Sequence, residues 1–98
     1  MQIIAKRTLR RFWVRHNQAE SPFKAWYALV QRAEWRGPAD VKRDFGANVD
    51  FIGDSRMVFD IGGNKYRLVV RVSYAFRRGL IKFVGTHKDY DKIDAETI

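Results

Sequence analysis

The stretch from Gly62 to Tyr74, GGNKYRLVVRVSY, sets Lys65, Arg67 and Arg71 at alternating positions between Tyr66, Leu68, Val70, Val72 and Tyr74. A β-strand sends successive side chains to opposite faces, so this spacing lays three cations along one face of a sheet whose other face is apolar. Such a row suits phosphate. Guanidinium forks match phosphate oxygens and stay charged, so Arg67 and Arg71 can hold negative charge that builds on a phosphoryl group. Lys65, with Lys82 from a later strand, adds point charge. His87 is the side chain near this face whose ordinary pKa, about 6.5, permits proton exchange at neutral pH, and its neutral form can act as a base. Tyr90, three residues further on, can donate a hydrogen bond, stack on a nucleobase, or act as an acid if the neighbouring cations lower its pKa.

Hydrophobic periodicity supplies the elements that must position these groups. Gln2 to Ala5 read as a short opening strand. From Lys6 to about His16, the residues Leu9, Phe12, Trp13 and His16 fall at i, i+3, i+4 and i+7, the spacing of one helical face, with Arg7, Arg10, Arg11 and Arg15 on the other. The cationic side reads as a solvated face and His16 as structural. Ser21-Pro22 is a helix-start signal, because serine caps free backbone N–H groups and proline lacks the one that would be orphaned. Phe23, Trp26, Tyr27, Val30 and Ala33 mark the buried stripe of this second helix, which should end near Trp35 before Gly37-Pro38. The aromatic stripe of Trp13, Trp26 and Tyr27 belongs to the core rather than to a stacking platform. Residues 39–45 form a further helical turn or two, and 46–55 a loop with a short strand around Val49 to Ile52.

The hairpin at Gly62-Gly63 can be tested for register. A turn at Gly62-Gly63 pairs Ile61 with Asn64 and Phe59 with Tyr66; one at Gly63-Asn64 pairs Ile61 with Tyr66 and Phe59 with Leu68. Both place apolar beside apolar. A three-residue loop would set Phe59 against Arg67 and is rejected. In either accepted register Arg56, Val58 and Asp60 share the cationic face, where Asp60 can neutralise one arginine. A second reversal at 75–79 carries Arg77 and Arg78, two further candidates for nucleic-acid contact, and leads into a strand from Leu80 to Thr86. Ile81 and Phe83 are expected on its core face and Lys82 on the cationic face between Leu80 and Val84. Those two apolar neighbours imply a cover, for which the segment His87 to Ile98 is the natural candidate.

Composition bounds the function. Ninety-eight residues fit a single domain, 1–98, with one core. There is no cysteine, which excludes disulfides and fits a reducing cytoplasm. No apolar run approaches the roughly 20 residues of a membrane span. The formal charge of +8 is uneven: residues 1–88 hold 18 basic against 7 acidic side chains, while 89–98 hold one against four. A basic body attracts polyanions, nucleic acid foremost, and the acidic tail could pair with the chain's own arginines and screen the site. No spacing of His, Asp or Glu suggests a metal site, and no glycine pattern suggests a nucleotide cofactor.

These residues also carry a resemblance. The Phe23-Lys24-Ala25-Trp26-Tyr27 segment, Ala33-Glu34-Trp35, the hairpin from Phe59 to Leu68 and the run Thr86-His87-Lys88-Asp89-Tyr90-Asp91-Lys92 resemble, in this order, the HigB toxins of the RelE-like mRNA interferases. The resemblance implies an α+β fold of the RelE-like, microbial ribonuclease-like kind, with two N-terminal helices packed on one face of a mainly antiparallel sheet. It implies a metal-independent endoribonuclease that cleaves mRNA, on the ribosome in many relatives, and an antitoxin partner, expected to be a helix-turn-helix protein of the HigA-like kind. On that reading His87, Arg67, Arg71 and Tyr90 are the catalytic candidates and Lys65, Lys82, Arg56, Arg77 and Arg78 the RNA-binding ones. Arg67 and Arg71 are expected to converge with His87 and Tyr90 around one concave pocket. A non-catalytic RNA- or ribosome-binding module would need the same basic face without the proton-transfer residue.

Overall fold

The computed structural model describes every residue from Met1 to Ile98. The chain runs through β1 (Gln2–Ile4), α1 (Lys6–Arg15), α2 (Glu20–Arg32), α3 (Pro38–Phe45), β2 (Val49–Ile52), β3 (Arg56–Ile61), β4 (Tyr66–Ser73), β5 (Arg78–Thr86) and α4 (His87–Tyr90). The five strands form one open sheet in the order β1-β5-β4-β3-β2, antiparallel except where β1 runs parallel to β5. This is an α+β architecture. Leu9 and Trp13 of α1 and Phe23, Trp26 and Val30 of α2 are buried in one cluster with Phe59, Leu68, Val70, Val72 and Ile81 of the sheet. The alternation in β4 dictates this, since Tyr66, Leu68, Val70 and Val72 all fall on that side.

Two helix boundaries differ from the sequence reading. Ser21 does not cap α2, because a single 3₁₀ turn at Asn17–Ala19 runs straight into a helix that starts at Glu20 and carries no side-chain cap. Ser21 and Pro22 instead sit in the first turn, where the missing N–H of proline is still no loss. At the other end α2 stops at Arg32 rather than near Trp35. Ala33 turns to extended backbone, and the carbonyls of Gln31 and Ala33 accept hydrogen bonds from the Met1 amino group at 3.1 and 2.8 Å. Trp35 is nonetheless buried, donating from Nε1 to Asp44 at 2.8 Å.

The β3–β4 hairpin adopts the register that sets Ile61 opposite Tyr66 and Phe59 opposite Leu68. Its turn passes through Gly62, Gly63 and Asn64 with φ of 68°, 63° and 77°, the left-handed region that favours these residue types. Gly62 has a second constraint, since a Cβ there would lie 2.9 Å from the Tyr66 ring.

The other sheet face carries a smaller core of Val58, Val69 and Ala95, with Ile52, Phe83, Tyr90 and Ile98 packed against it. Segment 87–98 folds back over this face as its cover. The assignment of faces in β5 corrects the sequence reading. Phe83 pairs with Val69 but Ile81 pairs with Val70, so Lys82 is the unpaired residue of a β-bulge. One extra residue breaks strict alternation, and Phe83 therefore joins the smaller core while Val84 packs against the larger one.

Candidate active site

Each group of the expected site can be placed from the strand that carries it. Thr86 ends β5 and caps α4: its Oγ1 accepts from the Asp89 amide at 3.1 Å, and Asp89 Oδ2 accepts from the Thr86 amide at 3.3 Å. This capping box lets a helix of only four residues hold its shape, and holds Asp89 below the usual carboxylate range through its hydrogen bonds to Thr86. The His87 amide then donates to the Lys65 carbonyl at 3.0 Å, tying α4 to the hairpin just before β4. The imidazole itself is exposed, with Nδ1 3.2 Å from Asp91 Oδ2 one helical turn on. A neutral imidazole that carries its proton on Nδ1, toward that carboxylate, would present Nε2 as an acceptor.

Tyr90 is instead partly buried. Its ring packs 6.3 Å from Phe83, above Val58 and Val69. Burial pushes the phenol above its ordinary pKa of 10.0; Arg67 pulls it down, and Asp50, Asp60 and Asp91 push with the burial. The lowered pKa that would make Tyr90 a ready acid is therefore not found. The phenol keeps its proton at neutral pH and is a hydrogen-bond donor.

The arginines depart furthest from the expected open row. Arg67 is only 8% exposed, and its Nε lies 3.0 Å from Asp60 Oδ1, directly across the ladder. Its Nη1 donates to the carbonyls of Asn64 and Tyr66 at 3.1 and 3.2 Å, and its Nη2 to the Asn64 side chain. Arg56 is buried as well, with Nη1 2.8 Å from Asp54 Oδ2 and Nη2 donating to the main-chain oxygen of Ile98. Arg71 remains half exposed, 3.2 Å from Asp54 Oδ1. The two arginines hold Asp54 below the usual carboxylate range, chiefly through the hydrogen bond from Arg56.

Arg71 is four residues along β4 from Arg67, about 13 Å at the rise of a strand. It lines a 510 Å³ groove with Ser55, Ser73, Tyr74, Arg78 and Leu80, and neither His87 nor Tyr90 reaches that groove. The single concave pocket expected to gather Arg67, Arg71, His87 and Tyr90 is thus divided. Val58 and Val69 lie between its two ends, and apolar side chains there require the tail as a lid. A guanidinium beneath such a lid requires its own acceptors, which Asp54, Asp60 and Asn64 provide.

The tail carboxylates do not screen the arginines, which corrects a second expectation. Asp89 is engaged by the capping box and Asp91 by His87, while no arginine forms an ion pair with Asp89, Asp91, Asp94 or Glu96. Of the cations expected to bind RNA, those exposed are Lys65, with Nζ 3.5 Å from Gln18, and Arg77 and Arg78 at the β4–β5 turn, where Arg78 lies 6.0 Å from the exposed Phe76 ring. Lys82 is partly exposed at the bulge. Asp91, beside His87, and Asn64, an acceptor for Arg67, are not among the residues expected from sequence. The i, i+4 spacing of His87 and Asp91 was the signal available for the first, and the second depends on how the hairpin turn folds. No group of three or more His, Cys, Asp or Glu is placed to hold a metal ion.

Fold and site together define a small basic α+β protein in which an exposed imidazole is mounted at one end of a cationic sheet face. The chain belongs to the HigB toxin family, the RelE-like toxic component of a toxin-antitoxin system, whose pattern it matches over residues 19–93. It is 27% identical over 93 residues to the mRNA interferase toxin HigB of Escherichia coli strain K12, covering 93% of this chain and 88% of the relative. The mRNA interferase HigB of Escherichia coli O157:H7 matches to the same extent. That of Escherichia coli O6:H1 is 24% identical over 68 residues, 68% of this chain and 66% of the relative.

Proposed function

We propose that this chain is an endoribonuclease toxin that cleaves mRNA and so arrests translation, with His87 as its base. The observation that carries the reading is the mounting of His87: its helix is fixed to the hairpin by the Lys65 carbonyl, and its exposed ring lies with Nδ1 3.2 Å from Asp91 Oδ2. In the step envisaged, the 2′-oxygen of a nucleotide attacks the adjacent phosphorus while Nε2 takes the 2′-hydroxyl proton. The bond from phosphorus to the 5′-oxygen breaks, the departing oxygen takes a proton from water, and the imidazolium returns its proton to the hydroxide so formed. The products are a 2′,3′-cyclic phosphate and a 5′-hydroxyl end. Lys65 offers charge to the phosphate, and the protonated phenol of Tyr90 offers a hydrogen bond. Arg67 acts by fixing the floor beneath Tyr90, and Arg71, Arg77 and Arg78 contact RNA at the far end of the sheet.

A lone imidazole without a paired acid is a slow catalyst on free RNA, so the reaction depends on a translating ribosome to orient the message. The reading also includes, by family resemblance, one RelE-like domain over 1–98 of the microbial ribonuclease-like kind with α1 and α2 on one sheet face, a cytoplasmic site of action, and a helix-turn-helix, HigA-like antitoxin. The test is inducible expression with mapping of mRNA 5′ ends, for the intact chain and for His87→Ala. New ends that persist in His87→Ala would remove His87 from the chemistry; growth arrest without any new ends would favour a binding module that acts by occupancy. Equal cleavage of naked mRNA and of message on ribosomes would remove the dependence on translation.

A further inference from the structure

Arg7, Arg11 and Arg15 stand on α1 at i, i+4 and i+8, with Arg10 beside them, and all four are exposed. None forms an ion pair with any carboxylate of the chain, and no acidic residue precedes Glu20. Four residues of helix advance about 6 Å, so this row has a pitch commensurate with consecutive phosphates on an extended strand.

The row ends in a 360 Å³ groove between α1 and the β5–α4 junction, with Arg11, Phe12, Arg15 and His16 on one side and Val84 and Asp89 on the other. Asp89, the one carboxylate there, is already engaged by Thr86 and stands two residues from His87. The His16 ring lies stacked on Phe12, 4.3 Å between centroids at 24°, and is partly exposed, which gives the groove a flat aromatic wall.

We infer that this groove holds the single-stranded RNA backbone on one side of the phosphate presented to His87, Arg11 and Arg15 taking phosphates and His16 stacking on a base. The inference rests on the nuclease reading and adds the course of the substrate. Arginines without internal partners and a stacking wall are the two elements of a single-strand site. A membrane surface fits poorly, because the apolar side chains Leu9 and Trp13 of α1 are spent in the core.

The test is anisotropy titration of a labelled 2′-O-methyl RNA decamer, which lacks the attacking hydroxyl and so reports binding alone. Three proteins are compared: the intact chain, Arg11→Gln/Arg15→Gln, and the charge-matched Arg32→Gln/Arg36→Gln at and just beyond the C-terminal end of α2. The α1 variant should bind roughly tenfold more weakly at low salt, and its plot of log affinity against log salt should be shallower by about 1.4, some 0.7 per lost phosphate contact. Arg11→Lys/Arg15→Lys should keep the original slope. An unchanged slope in the glutamine variant, or an equal loss in the α2 control, overturns the inference. If the same variant loses its antitoxin while its RNA slope is unchanged, the groove takes an acidic protein segment and the inference fails. Failure of the intact chain to cleave message while the slope difference holds would sink the nuclease reading and leave the groove standing.

Discussion

Asp60 and Arg67 face each other across the β3–β4 ladder with Oδ1 3.0 Å from Nε, on the sheet face that the C-terminal segment covers. The same arginine acts on the Tyr90 phenol above it, so this ion pair forms the floor of the candidate site.

Breaking the pair from the acid side leaves a buried guanidinium without its counter-ion. Asp60→Asn should destabilise the protein by about 3 kcal/mol, the lower end of the range for a buried pair because Asp60 retains some solvent contact. Urea denaturation of Asp60→Asn, Arg67→Met and the double variant checks this. The double variant should recover part of the loss, and simple additivity of the single effects would show that the pair is uncoupled.

His87 is exposed, so its replacement should spare the fold and affect chemistry. His87→Ala should lower cleavage on ribosomes by 10²-fold or more, within the usual span for a general base, with an unchanged denaturation midpoint. Asp91→Asn should lower cleavage about tenfold and shift its pH profile, because Asp91 orients the imidazole and touches no substrate. An Asp91→Asn profile superposable on that of the intact chain would assign the contact to helix stability alone.

On the proposed reading Tyr90 serves packing and chemistry through different atoms. Tyr90→Phe keeps the ring against Phe83 and should retain stability while losing about tenfold in activity; Tyr90→Ala should lose both, at 3 kcal/mol or so for the emptied site. Equal activity of Tyr90→Phe and the intact chain would deny the hydroxyl a role.

The pH dependence of stability has a defined direction at each end. Asp54 and Asp89 have folded-state pKa values below 3.8, so their contributions are complete above that value and disappear as pH falls through the depressed ones. Tyr90 has a folded-state pKa above 10.0, so its contribution is complete below 10.0 and disappears as pH rises through the raised value. Denaturation midpoints should therefore be flat between these limits as far as these groups are concerned. Thr86→Ala, which removes the side-chain hydrogen bond that depresses Asp89 and keeps the backbone one, should flatten part of the acid limb.

Gly85 sits opposite Arg67, and a Cβ there would lie 2.7 Å from the Phe83 ring and 3.1 Å from Asp89 Cβ. Gly85→Ala must displace Phe83 or α4, so it should cost about 1–3 kcal/mol and lower cleavage along with stability. Denaturation and 5′-end mapping on one preparation would show whether the two losses coincide.

The register of the hairpin illustrates what local pattern controls. Alternation in Tyr66 to Val72 and the apolar side chains of β3 leave few ways to pair the strands, because a slip of one residue moves every side chain to the wrong face. Helices α1 and α2 were legible for the same reason, their stripes repeating with helical period. Their ends were less so: Ser21 is a good cap by type, but the turn at Asn17–Ala19 had already begun the helix.

What periodicity determined, then, was which residues share a face: Arg56, Asp60, Arg67 and Arg71 on one side and the aromatic core on the other, with a tail to cover the polar side. What tertiary structure decided was which of those cations stay free. Arg56 finds its acceptor on Ile98, 42 residues away, and the bulge at Lys82 turns Phe83 toward Tyr90. Side-chain direction along a strand is a local property of the backbone, whereas the burial and neutralisation of a charge depend on segments that meet only after the chain has folded.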